Sequence, residues 1–309
     1  MTDSLDIDAG VPDLRRMPVA DAVRWLAEHG EPADPRAGID TAALRERFPR
    51  LSKVQIHDLT IETPHGPQPA RTYRDPSAPS TGRGLVWVHG GAFIGGHLDM
   101  PESNWVALEL AARGVPVFAV DYTKCLGQAH FPVPSDDVLA AWRFARENAV
   151  ELLGVDPGEL FLGGGSAGGN LTAGVAVRIR DAAESAPAGL VLVYPALHPN
   201  GPEASRELDL ESPMSGLTMN FVGDVAVLDD PHAFAGLSGG RRLPPMLVVA
   251  CENDPLRTSG EVFARLVTDA GGSADLHLEP GADHGHIDHP GDAGALRTLA
   301  AMAEWVASR

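Results

Sequence analysis

From residue 85 onward, short unbroken apolar runs alternate with longer stretches in which apolar residues recur every three or four positions. Parallel strands covered on both faces give runs of the first kind, and amphipathic helices give the second. The pattern predicts strands over 85–88, 115–120, 160–163, 190–194, 246–251 and 276–278. Helices are expected between and after them, over 105–113, 136–147, 170–180, 262–270 and 296–306. Strand and helix in strict succession predict an α/β fold: a twisted, mostly parallel sheet of about eight strands flanked by helices.

The first part of the chain is patterned differently. Asp21 can cap a short helix that carries Val23, Leu26 and Ala27 on one face, and Asp40 a second with Leu44, Phe48 and Leu51. Residues 54–62 alternate in part with period two, the breaker Thr63-Pro64-His65-Gly66-Pro67 follows, and 70–73 is again extended, which predicts an antiparallel hairpin. We therefore divide the chain into an N-terminal helical cap segment, 1–52, and a catalytic domain, 53–309. Within that domain residues 198–240 break the strand-helix alternation. They are rich in Pro, Gly and acids, with one apolar patch at 219–222, and are expected to form a cap-like insertion over the site.

Composition narrows the partners. The 309 residues carry a net charge of -18 and no cluster of Lys and Arg, so a phosphate backbone would find no counterpart and nucleic acid is not an expected partner. The acidic start, Met1 to Asp8, lacks the basic and then apolar order of a secretion signal, and no apolar run approaches the roughly 20 residues of a membrane span. Cys125 and Cys251 each lie in or near an apolar segment. Two buried free thiols suit a reducing compartment, so a cytoplasmic protein with no membrane partner is expected. The sequence leaves open a homodimer.

The chemistry concentrates in three places. Gly164-Gly165-Ser166-Ala167-Gly168 lies between the strand at 160–163 and the helix at 170–180, where small neighbours permit the strained turn that presents a serine hydroxyl as a nucleophile. A phosphate loop would end in Gly-Lys-Ser/Thr, which is absent. His89-Gly90-Gly91-Ala92-Phe93 follows the strand at 85–88. Its glycines let backbone amides approach a developing oxyanion, so Gly90, Gly91 and Ala167 are the expected oxyanion-binding residues. A serine also needs a base, and the base a carboxylate. Asp254, after the strand at 246–251, is the candidate acid, with Glu252 in reserve and a helix N-cap as its alternative role. The base is expected among His284, His286 and His289. Three histidines so close also raise a metal site, but their spacing matches no zinc signature. No metal or cofactor is expected.

Taken together, these segments resemble the hormone-sensitive-lipase-like family of α/β hydrolases, which includes many bacterial carboxylesterases and acetyl hydrolases. The resemblance runs from about residue 50 to the end and rests on His89 to Phe93, Gly164 to Asn170, Tyr194-Pro195-Ala196, Asp254-Pro255-Leu256-Arg257 and His284-Gly285. It implies a triad of Ser166, Asp254 and His284, with His284 rather than His286 as the base. It also implies a small-molecule ester as substrate, cleaved through an acyl-enzyme. Because both cap segments are short, small acyl groups are expected. The same triad could serve an amide, carbamate or lactone, and some relatives have lost a triad residue and only bind ligands. Three departures stand out. Gly165 replaces a residue that is often acidic or polar, 123–128 differs from the usual stretch after Asp-Tyr, and Thr258-Ser259 replaces an acidic pair. His286 stands where Phe is frequent, either adding polarity at the pocket mouth with His289 or lying in a solvated loop.

Overall fold

The computed structural model describes residues 14, 17–31, 40–199 and 213–309. The acidic start of the chain and residues 200–212 of the insertion lie outside the described residues. In chain order the strands are β1 (Gln55–Thr63), β2 (Gly66–Arg74), β3 (Gly84–Val88), β4 (Val117–Val120), β5 (Leu160–Gly165), β6 (Leu190–Val193), β7 (Met246–Cys251) and β8 (Ala274–Glu279). They form one sheet in the spatial order β1-β2-β4-β3-β5-β6-β7-β8. From β4 to β8 every neighbouring pair is parallel. The hairpin of β1 and β2, with Gln55 opposite Arg74, joins this core antiparallel through β2 and β4.

The described helices are α1 (Val19–His29), α2 (Thr41–Arg47), α3 (Pro101–Ala112), α4 (Val133–Glu147), α5 (Ala149–Leu153), α6 (Ala167–Asp181), α7 (Pro213–Val222), α8 (Arg257–Asp269) and α9 (Ala293–Ala307). Successive residues of a strand point to opposite faces. Val86 and Val88 therefore join a core with Val138 and Trp142 of α4 and Val175 and Ile179 of α6. Leu85 and Trp87 join another with Trp105 and Leu108 of α3 and Leu299 and Met302 of α9. A strand with apolar neighbours on both sides must be apolar throughout, which explains the unbroken runs. No helix among the described residues is long and apolar enough to cross a membrane.

Element ends differ from the sequence reading for local reasons. Helices α3 and α4 start four and three residues earlier than expected. Their first turns hold Pro101, Glu102 and Ser103, or Pro134, Ser135 and Asp136, and show no apolar period. β4 starts at Val117 instead of 115, just after Pro116, whose missing N–H cannot join a ladder. β6 stops before Tyr194, which takes a left-handed φ of 38°. Asp40 caps α2, its side chain accepting from the Ala43 N–H at 2.7 Å. Asp21 instead lies in the first turn of α1, which starts at Val19 after Pro18. The helix expected through Leu51 stops at Arg47, and Pro49 opens a separate 3-10 turn.

Candidate active site

The turns after β3, β5, β7 and β8 meet at the carboxyl edge of the sheet, where open α/β sheets place their ligands. Ser166 occupies the sharp turn from β5 into α6 with φ 50° and ψ -116°. Such a conformation persists only where surroundings enforce it. Here the Ser166 N–H donates to the Val193 carbonyl at 2.9 Å, tying the turn to β6. Gly168 lets the start of α6 press against β3, for a Cβ there would stand 2.1 Å from the Val88 carbonyl oxygen.

The Ser166 hydroxyl donates to His284 Nε2 at 2.9 Å, and His284 Nδ1 donates to Asp254 Oδ2 at 2.8 Å. The Asp254 side chain is fully buried, while His284 is 35% exposed and so open to a substrate. Asp254 is not the N-cap of α8, a place taken by Leu256; its Oδ1 accepts from the Leu256 N–H at 2.8 Å and braces the turn before the helix, leaving Oδ2 for the histidine. Glu252 braces the loop before His284, accepting from the Gly281 N–H at 2.7 Å. His286 neither reaches the pocket mouth nor sits in a solvated loop. It is buried, with Nε2 2.7 Å from Thr298 Oγ1 and Nδ1 3.2 Å from Cys251 Sγ. Burial pulls its pKa from 6.5 down to about 4. His289 is exposed. Among the described residues no three His, Cys, Asp or Glu side chains come together as metal ligands. Cys125 and Cys251 are both free and buried.

The turn after β3 carries left-handed φ values at three successive residues, 111° at Gly91, 53° at Ala92 and 66° at Phe93. It is anchored from behind. His89, fully buried, contacts the Gly90 carbonyl through Nδ1 at 2.7 Å and Asp121 through Nε2 at 2.9 Å. The Tyr122 hydroxyl donates to the same Gly90 carbonyl at 3.0 Å, and the Cys125 N–H donates to the Phe93 carbonyl at 2.7 Å. Lys124 pairs with Asp121, so the departure from the usual stretch at 123–128 still supports this turn. Ser259, in the third departure, accepts from the Leu197 N–H at 3.0 Å and lies 2.8 Å from His198 Nδ1, holding the start of the insertion. The Glu102 carboxylate packs against Gly90, where an added Cβ would stand 3.0 Å from both of its oxygens. The amides of Gly90, Gly91 and Ala92 make no hydrogen bond of full geometry among the described residues. Ala167, first residue of α6, has an N–H that its own helix cannot satisfy.

Sequence reasoning missed Glu102, Asp121 and Asp288, each of which holds a site loop from a different element. Beside the Gly91–Ala92 turn opens a cavity of about 430 Å³, lined by Leu26, Ile94, Met100 and Leu217, with Glu31 on its wall. Both Glu31 carboxylate oxygens accept from the Gly96 N–H at 3.0 Å.

Comparison with known proteins agrees with this fold. A family described as alpha/beta hydrolase fold matches residues 85–288. The chain is 32% identical over 270 residues to an ethyl acetate hydrolase of Pseudomonas putida, covering 81% of this chain and 82% of that protein. It is 31% identical over 230 residues to the carboxylesterase NlhH of Mycobacterium tuberculosis, covering 71% of each. A Pyrobaculum calidifontis esterase superposes with a TM-score of 0.73 at 28% identity, covering 89% of this chain and 95% of the other. With the matched region spanning both the elbow of Ser166 and the loop of His284, the chain belongs to the α/β-hydrolase-fold family, in its hormone-sensitive-lipase-like group.

Proposed function

We propose that this protein is a serine carboxylesterase acting on small, short-chain acyl esters. The observation that carries the reading is the unbroken relay from the Ser166 hydroxyl through His284 to buried Asp254, at 2.9 and 2.8 Å. As the Ser166 oxygen attacks the ester carbonyl, its proton passes to His284 Nε2, and Asp254 stabilises the imidazolium. The carbonyl oxygen, now negative, is received by amides of the turn 90–92 and of Ala167. Collapse of this intermediate expels the alcohol, which takes the proton from His284. Water, deprotonated by the same histidine, then attacks the acyl-enzyme and releases the carboxylic acid and free Ser166.

Substrate size follows from the cavity. At about 430 Å³ it stands toward the small end of ligand pockets, and its walls are mostly apolar. Helix α1 packs against α7, and both contribute to the wall, so the N-terminal segment and the insertion act together as the cap.

The test is hydrolysis of p-nitrophenyl acetate, butyrate and decanoate by wild type beside Ser166→Ala, His284→Ala and His286→Ala. Short-chain activity lost in the first two variants and kept in the third is the expected result. A wild type that leaves all three esters intact but cleaves the matching anilide would overturn the assignment in favour of amide chemistry.

A further inference from the structure

Among the described residues, Glu102 is the one buried carboxylate beside the nucleophile that the reaction above leaves unused. It is the second residue of α3, a position where an acid normally faces water near the positive helix end, yet its exposure is only 5%. Its backbone is held at both sides: the N–H donates to Asp288 Oδ1 at 2.8 Å, and the carbonyl accepts from the Trp87 indole at 2.8 Å. Asp288 follows His284 in the same loop and Trp87 belongs to β3, so Glu102 stands between the base and the centre of the sheet.

Its carboxyl fills the space directly under the elbow. A Cβ added at Gly165 would stand 1.8 Å from Oε1, and one at Gly90 would stand 3.0 Å from both carboxyl oxygens and from Ser166 Cβ. Oε1 and the neighbouring Tyr194 hydroxyl are both buried, and neither makes a hydrogen bond of full geometry among the described residues. The groups facing Glu102 are Asp288 and His284 from the loop after β8, Tyr194 from the end of β6, and the Gly90 amide from the end of β3. Burial chiefly, then Asp288, raises the carboxyl to about 7, while His284 and the Gly90 amide oppose the rise. Packing alone gives no reason for an acid here: the Trp87 and Asp288 bonds use only backbone atoms, and an apolar side chain would avoid the desolvation.

We propose that Glu102 is a positioning residue for ester hydrolysis. From α3 it supplies the polar support beneath Ser166 that the bare Gly165 cannot give, packing against Gly90 so that the amides of the turn 90–92 face the oxyanion. When ionised, it also favours the His284 imidazolium of the transition state. The proposal rests on the reading of Ser166 and His284 as the reacting pair.

The experiment compares wild type, Glu102→Ala, Gly165→Asp and the double variant on p-nitrophenyl acetate, with thermal unfolding of each. Glu102→Ala is expected to lower kcat roughly ten- to a hundredfold, less than outright loss of an oxyanion donor, with KM within about twofold. Gly165→Asp is expected to fall as well, since its side chain would collide with Glu102. In the double variant the new aspartate enters the vacated space, and kcat is expected to recover at least tenfold over the poorer single variant. A double variant no better than that single would overturn the proposal. Glu102→Gln adds a readout that a merely structural role would leave unmoved: the ratio of wild-type to variant kcat should grow as pH rises through about 7. A ratio constant from pH 6 to 9 would overturn the electrostatic part. Labelling by a fluorophosphonate probe, present in wild type and absent in Ser166→Ala, checks the underlying assignment separately. Labelling that depends on Ser166, with full kcat in Glu102→Ala, sinks this proposal and leaves the esterase standing.

Discussion

Replacing Phe221 by Ala should loosen the cap and the oxyanion turn together. Phe221 is fully buried in α7, stacked on Phe93 with centroids 3.9 Å apart and planes 13° apart. Phe131 and Phe234 meet it edge-on at 5.8 and 5.9 Å. Its carbonyl accepts from the Phe131 N–H at 2.7 Å, and neighbouring Asn220 bonds to both His130 and the Cys125 carbonyl. The ring is thus the pin between the cap helix and Phe93, the residue after Ala92. Truncation of a core Phe costs about 3–5 kcal/mol, and three ring contacts place this site near the upper end. A stability of about 5–15 kcal/mol leaves the variant folded at room temperature, so activity can be measured on it. Urea unfolding, followed through the buried tryptophans Trp87, Trp105 and Trp142 of the body, reports whether the loss reaches the whole domain. The expected result is a drop of about 4 kcal/mol with unchanged m, together with lower kcat/KM on p-nitrophenyl butyrate. Stability within about 1 kcal/mol of wild type and unaltered kinetics would refute the view that α7 and the oxyanion turn share one core.

Three further outcomes follow from individual contacts. Gly168→Ala would place a methyl 2.1 Å from the Val88 carbonyl, where only backbone can give way; loss of esterase activity and a melting temperature several degrees lower are expected, and a wild-type rate would contradict the close approach. Asp121→Asn leaves His89 and Lys124 buried without their shared anion and should cost about 3–5 kcal/mol in urea unfolding; a loss below about 1 kcal/mol would show that this network does not hold the turn. Because the folded pKa of His286 lies below the unfolded value, the unfolded chain binds the proton first as pH falls. Its contribution is therefore fully present above about 6.5, is lost toward about 4, and amounts to roughly 3 kcal/mol. His286→Gln should flatten the stability-pH curve in that window relative to wild type, and parallel curves would show that His286 does not titrate as argued.

What could be read from the sequence was whatever leaves a local signature. β3, β5, β6 and β7 announced themselves because burial on both faces forbids polar residues, and Ser166 because a strained turn needs small neighbours on either side. Helix starts were hidden, since first turns such as Pro101-Glu102-Ser103 are chosen for capping and carry no apolar period. His286 was misplaced for a related reason: a histidine in a Gly- and Asp-rich loop reads as solvated, and only the distant partners Cys251 and Thr298 make its burial tolerable. The same limit explains Gly90 and Glu102. Spacing along His89-Gly90-Gly91-Ala92 shows that amides can approach an oxyanion, but what backs that turn is a carboxyl twelve residues away, whose backbone is held by Asp288, 186 residues further on. A gap in a motif therefore carries information that the motif itself does not. Gly165 leaves a hole beneath the nucleophile, a hole there is unstable in a packed interior, and the side chain that fills it must come from another element.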